Sequence, residues 1–310
     1  MFENYRVFKT QFAGREISFE TGKMACLASG SVLVRYGETT VLVNVTMSQK
    51  PREGIDFFPL SVDFEEKLYA VGKIPGSFMR REGRPSEKAI LSSRVVDRPI
   101  RPLFPKDMRN DVSVVMTVMS VDPDCSPEIA GMIGTSMALS ISDIPWNGPI
   151  AGINVGLVDG RIVLAPNHEE KEKSDLQLTV AGTADKVCMI EAGANEVDDD
   201  TMLDAIMQGF AEIQKMVAFI NEVQAQVGRQ KVPFESKEVP HDLFEAVRAF
   251  AQDRVKLALD TDDKNVREER LAPIVADIHE QFDAQYPDQA AIIDECIYKL
   301  QKHIVRRWLL

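Results

Sequence analysis

Cysteine and histidine are scarce in this 310-residue sequence, four of each. Cys26, Cys125, Cys188 and Cys296 lie far apart with no CxxC spacing. That excludes a disulfide framework or structural zinc and reads as reduced, mostly buried thiols in a cytosolic protein. His168, His241, His279 and His303 have neither metal-ligand spacing nor a nearby partner. No apolar run approaches the roughly 18 residues of a membrane span, and residues 1–9 carry charge and aromatics where a signal peptide needs an apolar stretch. The expected location is cytoplasmic, with no membrane partner. Positive charge is also in deficit, 36 Lys and Arg against 48 Asp and Glu, for a net charge of −12. Such a chain does not adhere broadly to nucleic acid, so any polyanion contact has to be confined to a local surface. Repeats and low-complexity tracts are absent. What remains is an ordinary globular composition, 45% hydrophobic, long enough for about two domains.

Against that acidic background, residues 73–106 concentrate the opposite sign. Lys73, Arg80, Arg81, Arg84, Lys88, Arg94, Arg98, Arg101 and Lys106 face only Glu82, Glu87 and Asp97, nine cations against three acids and a local charge of +6. Segregated cations point to a polyanion site. A Pro75-Gly76 turn, the aromatic Phe78 and the Arg80-Arg81 pair precede a short helix that sets Arg94 and Arg98 four residues apart on one face. Paired guanidinium groups grip phosphate bidentately, and an aromatic ring stacks a base for about 1–3 kcal/mol. The combination suits single-stranded nucleic acid.

The rest of the chain reads as strands 7–12, 16–20, 31–36, 40–46 and 57–64, the last with Pro59 marking a bulge or an edge. Ser86 caps the basic helix, Pro99 and Pro102 limit it, and Ala89, Leu91, Val95 and Val96 supply its buried side. Residues 112–121 form a buried strand. Residues 129–141 form a helix rich in small residues, whose Gly131 and Gly134 permit close approach to a sheet. Asp159-Gly160 turns a hairpin between 153–158 and 161–164, and strands 176–181 and 186–191 follow. Asp198, Asp199 and Asp200 precede a helix over 202–227; acids in that position cap the helix more simply than they bind metal. Ser92 and Ser93 are expected to face solvent or back-bond, and 169–173 to be a solvated charged turn. The fold class is α+β, with a core at 1–230, a linker at 231–240 bounded by Pro233 and Pro240, and an all-helical domain of three amphipathic helices at 241–310.

The 33-residue run 73–105, together with Asp56 to Leu60, Asn147-Gly148-Pro149 and Ala181-Gly182-Thr183, strongly resembles bacterial polynucleotide phosphorylase. The resemblance covers the whole chain. It implies the first RNase PH-like core of that family, of ribosomal-S5-like β-α-β topology, followed by its helical domain. A second core and KH and S1 domains are expected after Leu310. The implied activity is reversible 3′-to-5′ phosphorolysis of RNA in mRNA degradation, with inorganic phosphate as co-substrate and Mg2+ held by the second core. A trimeric ring and membership of an RNA-degradation assembly are implied too. Where the active core of the family has a serine-rich phosphate loop, this chain reads Ser126-Pro127-Glu128, and where that core places a metal-binding Asp and a Lys it has Gln177 and Thr179. No catalytic or metal-binding residue is therefore expected here. Phe78, Arg80 and Arg81 are expected to clamp RNA at the channel entrance, with Met79 where many relatives carry a second Phe. Arg84, Arg94, Arg98 and Arg101 either join them or pair with Glu82, Glu87 or Asp97. The alternative is a noncatalytic RNA-binding or scaffold module, as in inactive exosome ring subunits.

Overall fold

The computed structural model describes residues 3–52, 54–76, 78–234, 236, 239–286 and 290–310. It comprises two compact units, Met1–Glu235 and Ser236–Leu310.

In the first unit, β1 (Arg6–Phe12), β2 (Arg15–Thr21), β3 (Gly30–Tyr36), β4 (Thr39–Pro51), β5 (Leu60–Glu65) and β6 (Asn110–Ser120) form one sheet in the order β1-β2-β3-β4-β6-β5. All neighbours are antiparallel except β5 and β6, which run parallel with Leu60 opposite Val112. A parallel pair needs a crossover. Here the crossover holds the basic stretch and α1 (Glu87–Ile100). β5 begins at Leu60, later than the sequence implied, because Pro59 has no N–H for the ladder; its carbonyl instead accepts from Val112 N at 3.1 Å. As Pro59 indicated, this is an edge strand.

The second sheet, order β10-β9-β7-β8, is antiparallel throughout and is built from β7 (Ala151–Val158), β8 (Arg161–Leu164), β9 (Leu176–Gly182) and β10 (Val187–Ala194). Asp159 and Gly160 turn its hairpin with φ of 50° and 71°, the positive values a two-residue turn demands. Between the sheets runs α2 (Pro127–Ile141), buried on every side from Ile129 to Ile141. It packs on β3 and β4 and reaches β7 and α4 (Asp199–Val227). A fully buried helix end leaves carbonyls without water. Lys231 meets this need, its Nζ donating to the carbonyls of Leu139 (2.7 Å), Ser140 (3.1 Å) and Ser142 (2.8 Å). Burial pulls the pKa of that ammonium down to about 8, against the opposing pull of the Asp143 carboxylate.

Several sequence expectations change. The α1 stripe facing the core is Ala89, Ser92, Val96, Pro99 and Ile100. Leu91 is 63% exposed, and Val95 only half-buried. Ser92 is buried and donates to Glu128 at 3.1 Å, whereas Ser93 back-bonds to Ile90 at 2.8 Å. Residues 169–173 belong to a short helix, α3 (His168–Lys173), because Asn167 and Glu170 form a reciprocal capping box. Asp198 caps α4 through Thr201 N at 2.9 Å, and that hydrogen bond holds its carboxyl below the usual range. Of the thiols only Cys125 and Cys296 are buried; Cys26 and Cys188 are exposed.

The second unit packs α5 (His241–Leu259), α6 (Lys264–Phe282) and α7 (Ala290–Leu309) around Leu243, Val247, Ile278, Phe282, Ile293 and Leu300. His279, read from sequence as lacking a partner, is held from both sides: Nδ1 lies 2.9 Å from Asp283 and Nε2 3.2 Å from Asp294 on α7. The partners are four and fifteen residues away, the second visible only once the helices pack. The Asp283 hydrogen bond leads in raising the His279 pKa above 6.5. A raised folded-state pKa stabilises fully below the unfolded value, and that stabilisation is lost as pH rises through the folded value. Thermal melts from pH 6 to 9 should therefore show wild type more stable than His279→Gln at the acidic end, the gap closing toward pH 9. A pH-independent gap would mean the clamp carries no charge.

Candidate nucleic-acid interface

The crossover loop is fixed at its base and free at its tip. Ser86 Oγ donates to Glu66 at 2.6 Å and also accepts from Ala89 N at 3.0 Å, which starts α1. Glu82 accepts from Leu68 N at 3.0 Å, tying the loop to the turn at Leu68–Val71, whose own carbonyl at Leu68 receives Lys73 N. Between these anchors Phe78 is fully exposed at 101%, and Met79, Arg80 and Arg81 also face solvent. Arg80 has φ of 46°, a left-handed conformation that costs an ordinary residue about 1–2 kcal/mol. An exposed ring and a strained arginine thus stand together at the tip of a tethered loop.

Eight of the nine cations separate by what they touch. Arg101 is committed to the fold: Nε lies 3.1 Å from both Asp97 oxygens, Nη2 2.8 Å from Oδ1, and Nη1 and Nη2 donate to the carbonyls of Phe58 and Leu60. Its guanidinium also stands over the Phe58 ring, 5.9 Å from the centroid. Arg98 pairs with Glu191 of β10 at 3.0 Å, half-exposed on both sides. Lys88 lies 3.9 Å from Glu128. Lys73, Arg80, Arg81, Arg84 and Arg94 are exposed and make no side-chain hydrogen bond or ion pair with the described residues. Uncompensated charge therefore remains at the loop tip and on the outer face of α1. Sequence spacing offered Glu82 and Glu87 as partners; the structure uses Glu82 as an anchor for Leu68 instead.

Beside the loop opens a cleft of ≈ 1070 Å³, lined by Lys67, Arg84, Lys88, Glu128, Lys171 and Gln177 among others. Its inner end is the N-terminus of α2, where an anion would ordinarily be welcome. Glu128 already occupies that position. Its carboxylate accepts from Ser126 Oγ at 2.6 Å and Ser92 Oγ at 3.1 Å. The cleft thus carries its own anion where a phosphate would otherwise bind. Cys125 offers no nucleophile, since burial and then Asp122 push its thiol up to about 11.

The chain matches known families along most of its length. Models of the 3′ exoribonuclease family match residues 13–145 (domain 1) and 148–212 (domain 2), and one for the polyribonucleotide nucleotidyltransferase RNA-binding domain matches 242–310. The chain is 54% identical over 306 residues to the polyribonucleotide nucleotidyltransferase of Ruminiclostridium cellulolyticum, covering 99% of this chain and 44% of the relative. This chain belongs to the polyribonucleotide nucleotidyltransferase family. The relative of that name in Clostridioides difficile is 58% identical over 271 residues, 87% of this chain and 38% of its own length. The chain thus spans less than half the length of these curated relatives. Rice Rrp46 shares the fold, with a TM-score of 0.53 at 16% identity over 72% of this chain and 96% of its own. The architecture is an RNase PH-like α+β core with a helical domain.

Of the two β9 positions singled out in the sequence, Gln177 lines this cleft, whereas Thr179 lines the neighbouring one, which Gln177 also borders. Gln177 is a neutral amide, and Thr179 donates to Asn154 Oδ1 at 3.0 Å. An amide and a committed hydroxyl do not fit a divalent cation, which prefers carboxylate oxygens. Among the described residues no cluster of His, Cys, Asp or Glu has the arrangement to hold one. Two features escaped sequence reading. Lys171 reaches the cleft from α3, an element the charged run 169–173 concealed. Leu68, Tyr69, Ile74, Ile90 and Leu91 are exposed apolar side chains, the last two legible as such only after the register of α1 is known.

Proposed function

We propose that this chain is the RNA-threading half of a phosphorolytic 3′-to-5′ exoribonuclease that acts in mRNA degradation, with Phe78, Arg80 and Arg81 gripping the strand and Arg84 and Arg94 extending the path. Arg98 and Arg101 flank that path and, through Glu191 and Asp97, set its geometry. The observation that carries this reading is the tethered loop with an unpaired, exposed tip. Its arginines bind phosphate without reference to sequence, and the ring of Phe78 gives each passing base the same stacking surface, as processive threading requires. The reaction of the whole enzyme is attack of inorganic phosphate on the terminal phosphodiester, releasing a nucleoside diphosphate. Its Mg2+ and catalytic groups come from the part of the protein beyond this chain. Supporting that division, Glu128 repels phosphate from the end of α2, and Gln177 and Thr179 lack the charge to take part. Exposed apolar side chains such as Leu68, Tyr69, Ile90 and Leu91 are available for assembly into a trimeric ring in the cytoplasm. The expected result for the 310-residue chain with poly(A), phosphate and Mg2+ is RNA binding without nucleoside diphosphate release. Clear phosphate-dependent turnover would overturn the noncatalytic assignment.

A further inference from the structure

The sequence holds thirteen methionines. Met108, Met116, Met132 and Met137 are sealed in the core of the first unit, and among the described methionines only Met24, Met79 and Met207 are exposed, at 36%, 60% and 52%. Position separates these three. Met24 follows Lys23, whose ammonium is held over the Tyr5 ring, 5.4 Å from its centroid. Met207 lies on α4, one helical turn after Asp204. Met79 stands at the tip of the crossover loop, between the wholly exposed Phe78 and the exposed, unpaired Arg80 and Arg81. It belongs to neither hydrophobic core, so its side chain can change chemically without loss of the fold.

A thioether reacts with a peroxide when the sulfur lone pair attacks one oxygen. An S–O bond forms, the O–O bond breaks, and the other oxygen takes up the proton of the first and leaves as water. Sulfur loses two electrons and the peroxide gains them. Negative charge develops on the departing oxygen, and the guanidinium groups next in the chain to Met79 stabilise it. The carboxylate near Met207 opposes the same charge. The product is a polar, hydrated sulfoxide where the sulfur was apolar and polarisable, and suited to contact with a planar ring. Its partially negative oxygen also stands among arginines whose use is to attract phosphate.

We propose that Met79 is a site of reversible oxidation by peroxide, and that its sulfoxide loosens the hold of the loop tip on single-stranded RNA. This rests on the threading reading of Phe78, Arg80 and Arg81 and adds a chemical control to it.

The test uses the 310-residue chain carrying Cys26→Ser and Cys188→Ser, which removes the two exposed thiols that peroxide would also oxidise. Hydrogen peroxide is titrated in, the sulfoxide at each methionine is read by peptide mass spectrometry, and affinity for a fluorescent oligoadenylate is read by anisotropy. Met79 should oxidise ahead of Met207 and Met24, and affinity should fall roughly three- to tenfold in step with it while the melting temperature holds. Methionine sulfoxide reductases of both epimer specificities should restore the thioether and the affinity together. Met79→Leu, compared with its own untreated sample, should show no response to peroxide, whereas Met207→Leu should respond as the parent does. A thioether that persists at Met79 while Met207 is oxidised would overturn the proposal, as would an affinity loss that survives in Met79→Leu. Full oxidation at Met79 with affinity intact would overturn it too. The Arg80→Ala, Arg81→Ala variant, measured alongside, then shows what else falls: weakened binding leaves the threading loop standing and removes only the redox step, and undiminished binding removes both.

Discussion

Replacing Arg80 and Arg81 together by alanine is expected to lower affinity for single-stranded RNA by roughly 10- to 100-fold near 0.1 M salt, and to flatten the salt dependence by about 1 to 2 in slope. Both side chains are exposed and unpaired, so their removal breaks nothing in the fold. Arg80→Ala even keeps the left-handed backbone problem unchanged, because alanine has the same Cβ. The loss should therefore appear in binding and not in melting temperature. Arg101→Ala is the informative contrast. It strips the partner from Asp97 and the donors from the carbonyls of Phe58 and Leu60, so it should lower stability first and affinity only in consequence. Filter binding or fluorescence anisotropy across salt concentrations, with thermal melts of each variant, separates the two behaviours. An unchanged salt slope for the double variant would mean that the loop does not touch phosphate.

The contrast between Arg81 and Arg101 also marks how far the sequence carries. Both belong to the same basic run, and nothing in its composition distinguishes them. Charge segregation was legible because it is a property of neighbouring residues. The sorting of free from committed arginines depends on Glu191, which lies 93 residues from Arg98, and on carbonyls of 58 and 60 brought up by β5. Much local chemistry was legible, the Asp159-Gly160 turn and the Ser86 and Asp198 caps all acting within four residues, but the Asn167–Glu170 capping box and the start of β5 after Pro59 were not read from it. The buried stripe of α1 was misread at Leu91 because two apolar faces compete there, and only the position of Glu128 shows that the polar Ser92 belongs inside. The three helices of the second unit declared themselves by period, yet the His279 clamp needed α6 and α7 side by side.

The helix at the centre of the first unit supplies the largest stability effect. Gly131 and Gly134 cost α2 about 1 kcal/mol each against alanine in helix propensity, which the sequence could tolerate only if close packing returned more. A Cβ built at Gly134 would stand 2.6 Å from Val34 Cγ2 and 2.8 Å from Val43 Cγ2, on two strands whose valines are wholly buried. Neither strand has room to retreat, since α2 is enclosed by the second sheet and α4 on its other side. Gly134→Val should therefore destabilise the first unit by about 3 kcal/mol or more, from overpacking together with the strained rotamer of a branched residue in the helix. Gly193 of β10 has open space around its Cβ position, so Gly193→Ala should stay within about 0.5 kcal/mol of wild type. Trp146, buried against Phe104 in this same unit, reports its unfolding by fluorescence in urea. A Gly134→Val midpoint indistinguishable from that of Gly193→Ala would show that α2 can lift off the sheet. The close seating that holds Glu128 beside Ser92 at the cleft would then be weaker than the distances imply.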